Sequence, residues 1–146
     1  MKNLLLPAVL TILLGAACTN ISDDSLPSND VSGVITNGDW EVSYFWDKTK
    51  DETHKFSGYS FVFENGGVLR SIRQGSTTVG TWVQGSGKLI LFAGAADPLE
   101  ELNDDWIIVE RTETLIRLRD DNDEHVEELH LDRKSTRLNS SHLVIS

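Results

Sequence analysis

Residues 59–73 read YSFVFENGGVLRSIR. Tyr59, Phe61 and Phe63 alternate with Ser60, Val62 and Glu64, the period of a strand with one apolar face. Asn65-Gly66-Gly67 follows as a hairpin turn, and Val68 to Arg73 runs back as its partner strand. Working backward, Trp40, Val42, Tyr44 and Trp46 alternate with Glu41, Ser43, Phe45 and Asp47. Working forward, Thr77–Val83 follows Gly75-Ser76, and Lys88–Phe92 follows Gly85-Ser86-Gly87. Trp106–Glu110, Leu115–Arg119 and Val126–Leu131 complete eight short strands, most joined by loops of two to five residues. Such loops require antiparallel hairpins. One helix is expected, a single turn over Pro98–Leu102, with Asp97 as N-cap, Pro98 at N1 and acids in the first turn.

These elements predict an all-β fold, a small antiparallel up-and-down barrel of about eight strands with one short helix. Closing the sheet removes the edge strands that invite aggregation. A two-sheet sandwich needs longer crossovers, and the only longer connections are Thr49–Lys55 and Ala93–Asp105. Eight strands leave an interior that side chains fill, or that holds one small ligand.

The chain has 146 residues, with 13 basic against 23 acidic side chains and a net charge of −10. A 39% hydrophobic content suits one packed domain and not two. The acidic balance argues against a nucleic-acid partner, which needs clustered Lys and Arg. One cysteine excludes an internal disulfide framework and a Cys-based zinc site.

Both ends stand apart from the fold. Residues 1–17 carry Lys2, an apolar run from Leu4 to Leu14 and small residues before Cys18, the pattern of a secretory signal. Leu14-Gly15-Ala16-Ala17-Cys18 resembles the lipobox of bacterial lipoproteins. That resemblance implies cleavage before Cys18, acylation of its sulfur and anchoring to a membrane, several acyl chains giving stable attachment. Thr19 after the cysteine favours the outer membrane by the same resemblance. Residues 18–32, rich in Ser, Asn and Asp, read as the lipidated cysteine and a flexible tether, and 33–131 as the barrel domain. Residues 132–142, DRKSTRLNSSH, match the translation of a common short-read sequencing adapter. Residues 132–146 are therefore read as an assembly artefact, and Ser140, Ser141 and His142 are kept out of any catalytic argument. Cys18–Leu131 alone holds 9 basic and 22 acidic residues, a net of −13.

Gly38-Asp39-Trp40, Phe56-Ser57-Gly58-Tyr59-Ser60-Phe61, Gly80-Thr81-Trp82 and Leu99-Glu100-Glu101-Leu102 before Asp105-Trp106 occur in that order. The pattern resembles the lipocalin-like lipoproteins of Gram-negative bacteria over about Gly38–Leu131. The resemblance implies a small barrel on a lipidated tether, with a small hydrophobic or amphipathic ligand as cargo. It supplies no catalytic residues, and no enzyme activity, cofactor or metal is expected. The alternative function is a non-enzymatic protein-interaction or structural module of the cell envelope with a filled core.

Most aromatics are read as core, Trp40 and Trp82 above all, because large side chains fill a barrel this small. Tyr44 and Trp46, beside the Thr49–Lys55 loop, are the ligand-binding candidates, with Phe61 as a third lining residue. Asp120-Asp121-Asn122-Asp123-Glu124 lacks the glycine and spaced Glu of a calcium loop and reads as a solvated turn. Asp104-Asp105 and Glu100-Glu101 read as exposed charge. His54, His125 and His130 lack metal-ligand spacing; Glu128 and His130 share a strand face that allows an ion pair, but a surface position is the expectation for His130.

Overall fold

The computed structural model describes residues 30–135, so the signal segment, Cys18 and Ser140–His142 lie outside the described residues. The sequence alternation becomes nine antiparallel strands: β1 Asp39–Asp47, β2 Lys50–Asp51, β3 Ser60–Glu64, β4 Val68–Arg73, β5 Ser76–Gly85, β6 Lys88–Phe92, β7 Asp105–Arg111, β8 Leu115–Arg119 and β9 Glu127–Arg133. From β3 to β9 each pairs with its sequence neighbour; β1 joins β3, and β9 returns to β1. Eight strands thus close an up-and-down barrel, and β2 is a two-residue spur on β1 through Trp46↔Asp51 and Asp47↔Lys50.

Every second residue points inward. Phe61, Phe63, Leu69, Leu89, Leu118, Leu129 and Leu131 are all at most 2% exposed, as are Trp40, Phe45 and Trp106. Where two strands press together the side chain must vanish: a Cβ on Gly80 of β5 would sit 1.8 Å from the Phe92 carbonyl oxygen. The Asn65–Gly67 turn uses Gly66 and Gly67 at φ of +93° and +87°, a conformation open to glycine and costly to other residues.

The phase expected for β1 holds only for its first half. A register shift between Val42 and Tyr44 against β9 marks a bulge. One extra residue exchanges the faces of everything beyond it. Phe45, not Tyr44, therefore enters the core opposite Leu129, and Tyr44 faces outward opposite His130.

Each end of the barrel has its own cover. At one end a helical turn, α1 Ser32–Ile35, buries Val31 and Ile35 completely. The Trp40 indole Nε1–H donates to the Ile35 carbonyl at 2.8 Å. The amides of Val31 and Ser32 both donate to Gln84 Oε1, at 2.6 and 2.9 Å. The core thus takes in residues before 33, with Val31 fully buried. At the other end lie two 3-10 turns, Thr53–Phe56 and Leu99–Leu102. The Lys55 ammonium ties them together by pairing with Glu52 and Glu101, each at 2.6 Å.

The expected turn near Pro98 is present, and among the described residues two further short turns accompany it. The one near Pro98 is a 3-10 turn in which Pro98, not Asp97, is the N-cap, with no side-chain cap bond. A segment this short closes with the tighter i→i+3 bond, here Glu101 N–H to the Pro98 carbonyl at 3.2 Å. β9 also runs to Arg133, past Leu131: Asp132 pairs with Glu41, and the Arg133 guanidinium covers the Trp40 ring at 5.6 Å.

Candidate functional site

The three residues expected to line a ligand cavity are not brought together. Phe61 is inside the barrel at 1% exposure, whereas Tyr44 and Trp46, beyond the bulge, lie on the outer face of β1. There Tyr44 packs over His130, ring centroids 4.8 Å apart. His130 Nε2 meets Glu128 Oε1 at 2.6 Å, and Arg117 Nη2 donates to the same oxygen at 3.0 Å. With its proton directed at the carboxylate, Nε2 has no lone pair left for Arg117 Nε at 3.3 Å, so the shorter contact is the bond. The His130 hydrogen bond first, then Arg117, hold the Glu128 carboxyl below its ordinary value. His130, expected at the surface, is half-buried on the outer face and pairs with Glu128 in a network on β8 and β9.

A second grouping was invisible in the sequence. Carboxylate oxygens of Asp104, Asp120 and Glu127 lie within 4.8 Å of one another, the grouping among the described residues with spacing suited to a cation. Asp120 is 8% exposed rather than solvated, and its Oδ1 accepts the Asn122 amide at 3.1 Å, closing the turn. Burial pushes Glu127 up, with Asp47 adding like charge; burial also raises Asp104, helped by Asp120. Asp120 and Glu127 flank the β8–β9 connection, where the Asp120 amide donates to the Glu127 carbonyl at 3.0 Å, and Asp104 comes from the β6–β7 connection on the same rim.

The outer surface is divided. Val79 and Val83 on β5 and Ile90 and Phe92 on β6 are 46–58% exposed. They are neighbours: Val83 is directly opposite Ile90, and Phe92 opposite Thr81, between the two valines. Half-buried Val62, Val68 and Ile72 continue this face over β3 and β4. The sequence signal was the unbroken Leu89-Ile90-Leu91-Phe92, apolar on both phases of its strand. An exposed apolar cluster of this kind marks an interaction surface.

Charge is divided along the barrel axis as well. In an up-and-down barrel alternate connections share a rim. The rim made by residues 47–59, 73–76, 93–105 and 119–128 carries fourteen acidic against five basic side chains, a net of −9. The rest of residues 30–135 carries seven and six. The rim covered by α1, where the chain joins the domain at Asp30, is thus nearly neutral.

No protein-family model and no curated protein matches the chain. Its fold is similar to the crystal structure of a DUF4847 family protein from Bacteroides vulgatus, with a TM-score of 0.54 at 13% identity, over 72% of this chain and 98% of that one. At that identity the likeness concerns the fold alone.

Proposed function

We propose that this chain is a lipocalin-like lipoprotein, anchored through Cys18 to the outer membrane, whose barrel is a non-catalytic interaction module rather than a carrier. One observation carries the choice: the interior is packed with Trp40, Phe45, Phe61, Trp106 and aliphatic side chains, while a contiguous apolar face is turned outward. A carrier needs the reverse, with apolar surface facing a cavity. The lipobox-like Leu14–Cys18 supports export and anchoring, and as the single cysteine of the sequence Cys18 has no internal disulfide partner.

Native mass spectrometry of the mature protein, exposed to a bacterial lipid extract, tests the choice. A bare barrel mass, apart from the acyl chains on Cys18, is expected. A stoichiometric adduct that resists desalting, and is lost when Phe61 is changed to Ala in a still-folded variant, would restore the carrier.

A further inference from the structure

The geometry points to a phospholipid bilayer as the surface that covers the outer face of β5 and β6, the acidic rim being turned away from it; this rests on the anchored reading above. Three independent observations converge. The first is composition. Between Ser60 and Ala96 there is one acidic residue, Glu64, against Arg70, Arg73 and Lys88, in a chain whose remaining charge is overwhelmingly negative. Anionic headgroups repel the −9 rim and tolerate this sector, so the field keeps the rim away from the bilayer and admits the β5–β6 face. Glu64 is itself paired with Arg70 at 2.6 Å, which removes the one repulsive charge from the face.

The second is attachment. The chain outside the described residues joins the domain at Asp30, and the next two amides are bound to Gln84, the residue after Val83. Arg111 Nη1 also donates to the Asp30 carbonyl at 2.6 Å. The twelve peptide links from Cys18 to Asp30 span at most ~40 Å when fully extended. An acylated Cys18 therefore keeps Val83 and Ile90 within about one domain diameter of the bilayer. Tethering at that distance makes a weak surface affinity sufficient.

The third is side-chain type. Val79, Val83, Ile90 and Phe92 present branched aliphatic groups and one aromatic ring side by side on the outside of β5 and β6. Exposed aliphatic and aromatic groups of this kind suit the headgroup–acyl boundary of a bilayer.

The full chain is produced in a Gram-negative host, with a thiol-reactive NBD fluorophore placed at Ile90→Cys in one variant and Glu124→Cys in another. Intact mass first reports whether Cys18 is acylated, which decides the anchoring reading by itself. Acylated protein is reconstituted into vesicles of phosphatidylethanolamine and phosphatidylglycerol. If acylation is absent, the same variants carrying Cys18→Ser are added to preformed vesicles instead. Expected is a blue-shifted probe at position 90, quenched by spin-labelled lipid at least twofold more than the probe at 124. Phe92→Cys repeats the result should Ile90→Cys disturb the sheet. Equal, water-like probes at both positions overturn the proposal. So does a position-90 probe shielded without vesicles in a species of twice the monomer mass, which assigns the face to a second copy.

Discussion

The rings of Phe45 and Phe56 meet edge to face inside the barrel, their centroids 5.2 Å apart. Phe45 also reaches Trp106 at 6.4 Å, so it links β1, the Thr53–Phe56 turn and β7 in one aromatic cluster. Its neighbour Tyr44 contributes nothing to that cluster and lies against His130 outside. Phe45→Ala is expected to cost about 3–5 kcal/mol through the cavity it leaves, and Tyr44→Ala less than about 1 kcal/mol. Urea denaturation of both variants measures the contrast. Equal losses would contradict the bulge.

Gly80→Ala is expected to be among the most damaging single-methyl changes in the chain. Its Cβ would meet the Phe92 carbonyl oxygen at 1.8 Å and the carbonyl carbon at 2.9 Å, and both belong to backbone. Main chain cannot rotate aside as a side chain does, so β5 and β6 must separate. A loss of about 4 kcal/mol or failure to fold is expected, read by circular dichroism and thermal melting. Gly85→Ala, where no atom lies within 4 Å, serves as the control.

Glu127→Gln is expected to stabilise the protein at neutral pH. Burial raises the Glu127 carboxyl in the folded state above its ordinary value of 4.5, so the folded protein binds a proton more tightly than the unfolded chain. Stability then falls as pH rises through the interval between the two values. The glutamine variant escapes that loss. Its advantage, up to about 1 kcal/mol at pH 7, should disappear below pH 4, and melting curves across that range decide it. The exposed Lys48, 3.7 Å away, offsets little of the burial.

Glu52→Gln carries the opposite sign. Hydrogen bonds from Lys50 and Lys55 hold the Glu52 carboxyl at about 2, below its ordinary 4.5. The stability this provides is present above pH 4.5 and is lost as pH falls towards 2. The variant should melt earlier than the parent at pH 7, and the two should converge in acid. A gap that persists at pH 2 would locate the effect in packing.

The alternation of Tyr59 to Glu64 and the glycines after it made the hairpins legible, and the strands of the barrel follow from them. Less legible was anything that depends on a single inserted residue. Trp40-Glu41-Val42-Ser43-Tyr44-Phe45-Trp46 offers large apolar groups on both phases after Ser43, so period alone does not reveal that Phe45 is the inward one. The partner strand decides it, and β9 lies at the far end of the sequence. The Asp104, Asp120 and Glu127 cluster escaped for the same reason: each residue sits in an acidic run that reads as solvated surface. Val79, Val83, Ile90 and Phe92 were in view throughout, as apolar residues on the face that a half-buried strand leaves to solvent.

The pairing of β1 with β9 has a temporal consequence. Ser43 and Asp132, 89 residues apart, share a hydrogen bond at 2.9 Å beside the register shift between β1 and β9. A growing chain makes its first strand long before the strand that receives it. Until then the barrel is an open, twisted ribbon with its ends unjoined, and contacts of such separation form slowly. The first strand's second edge is therefore left without its partner until the last strand has been made.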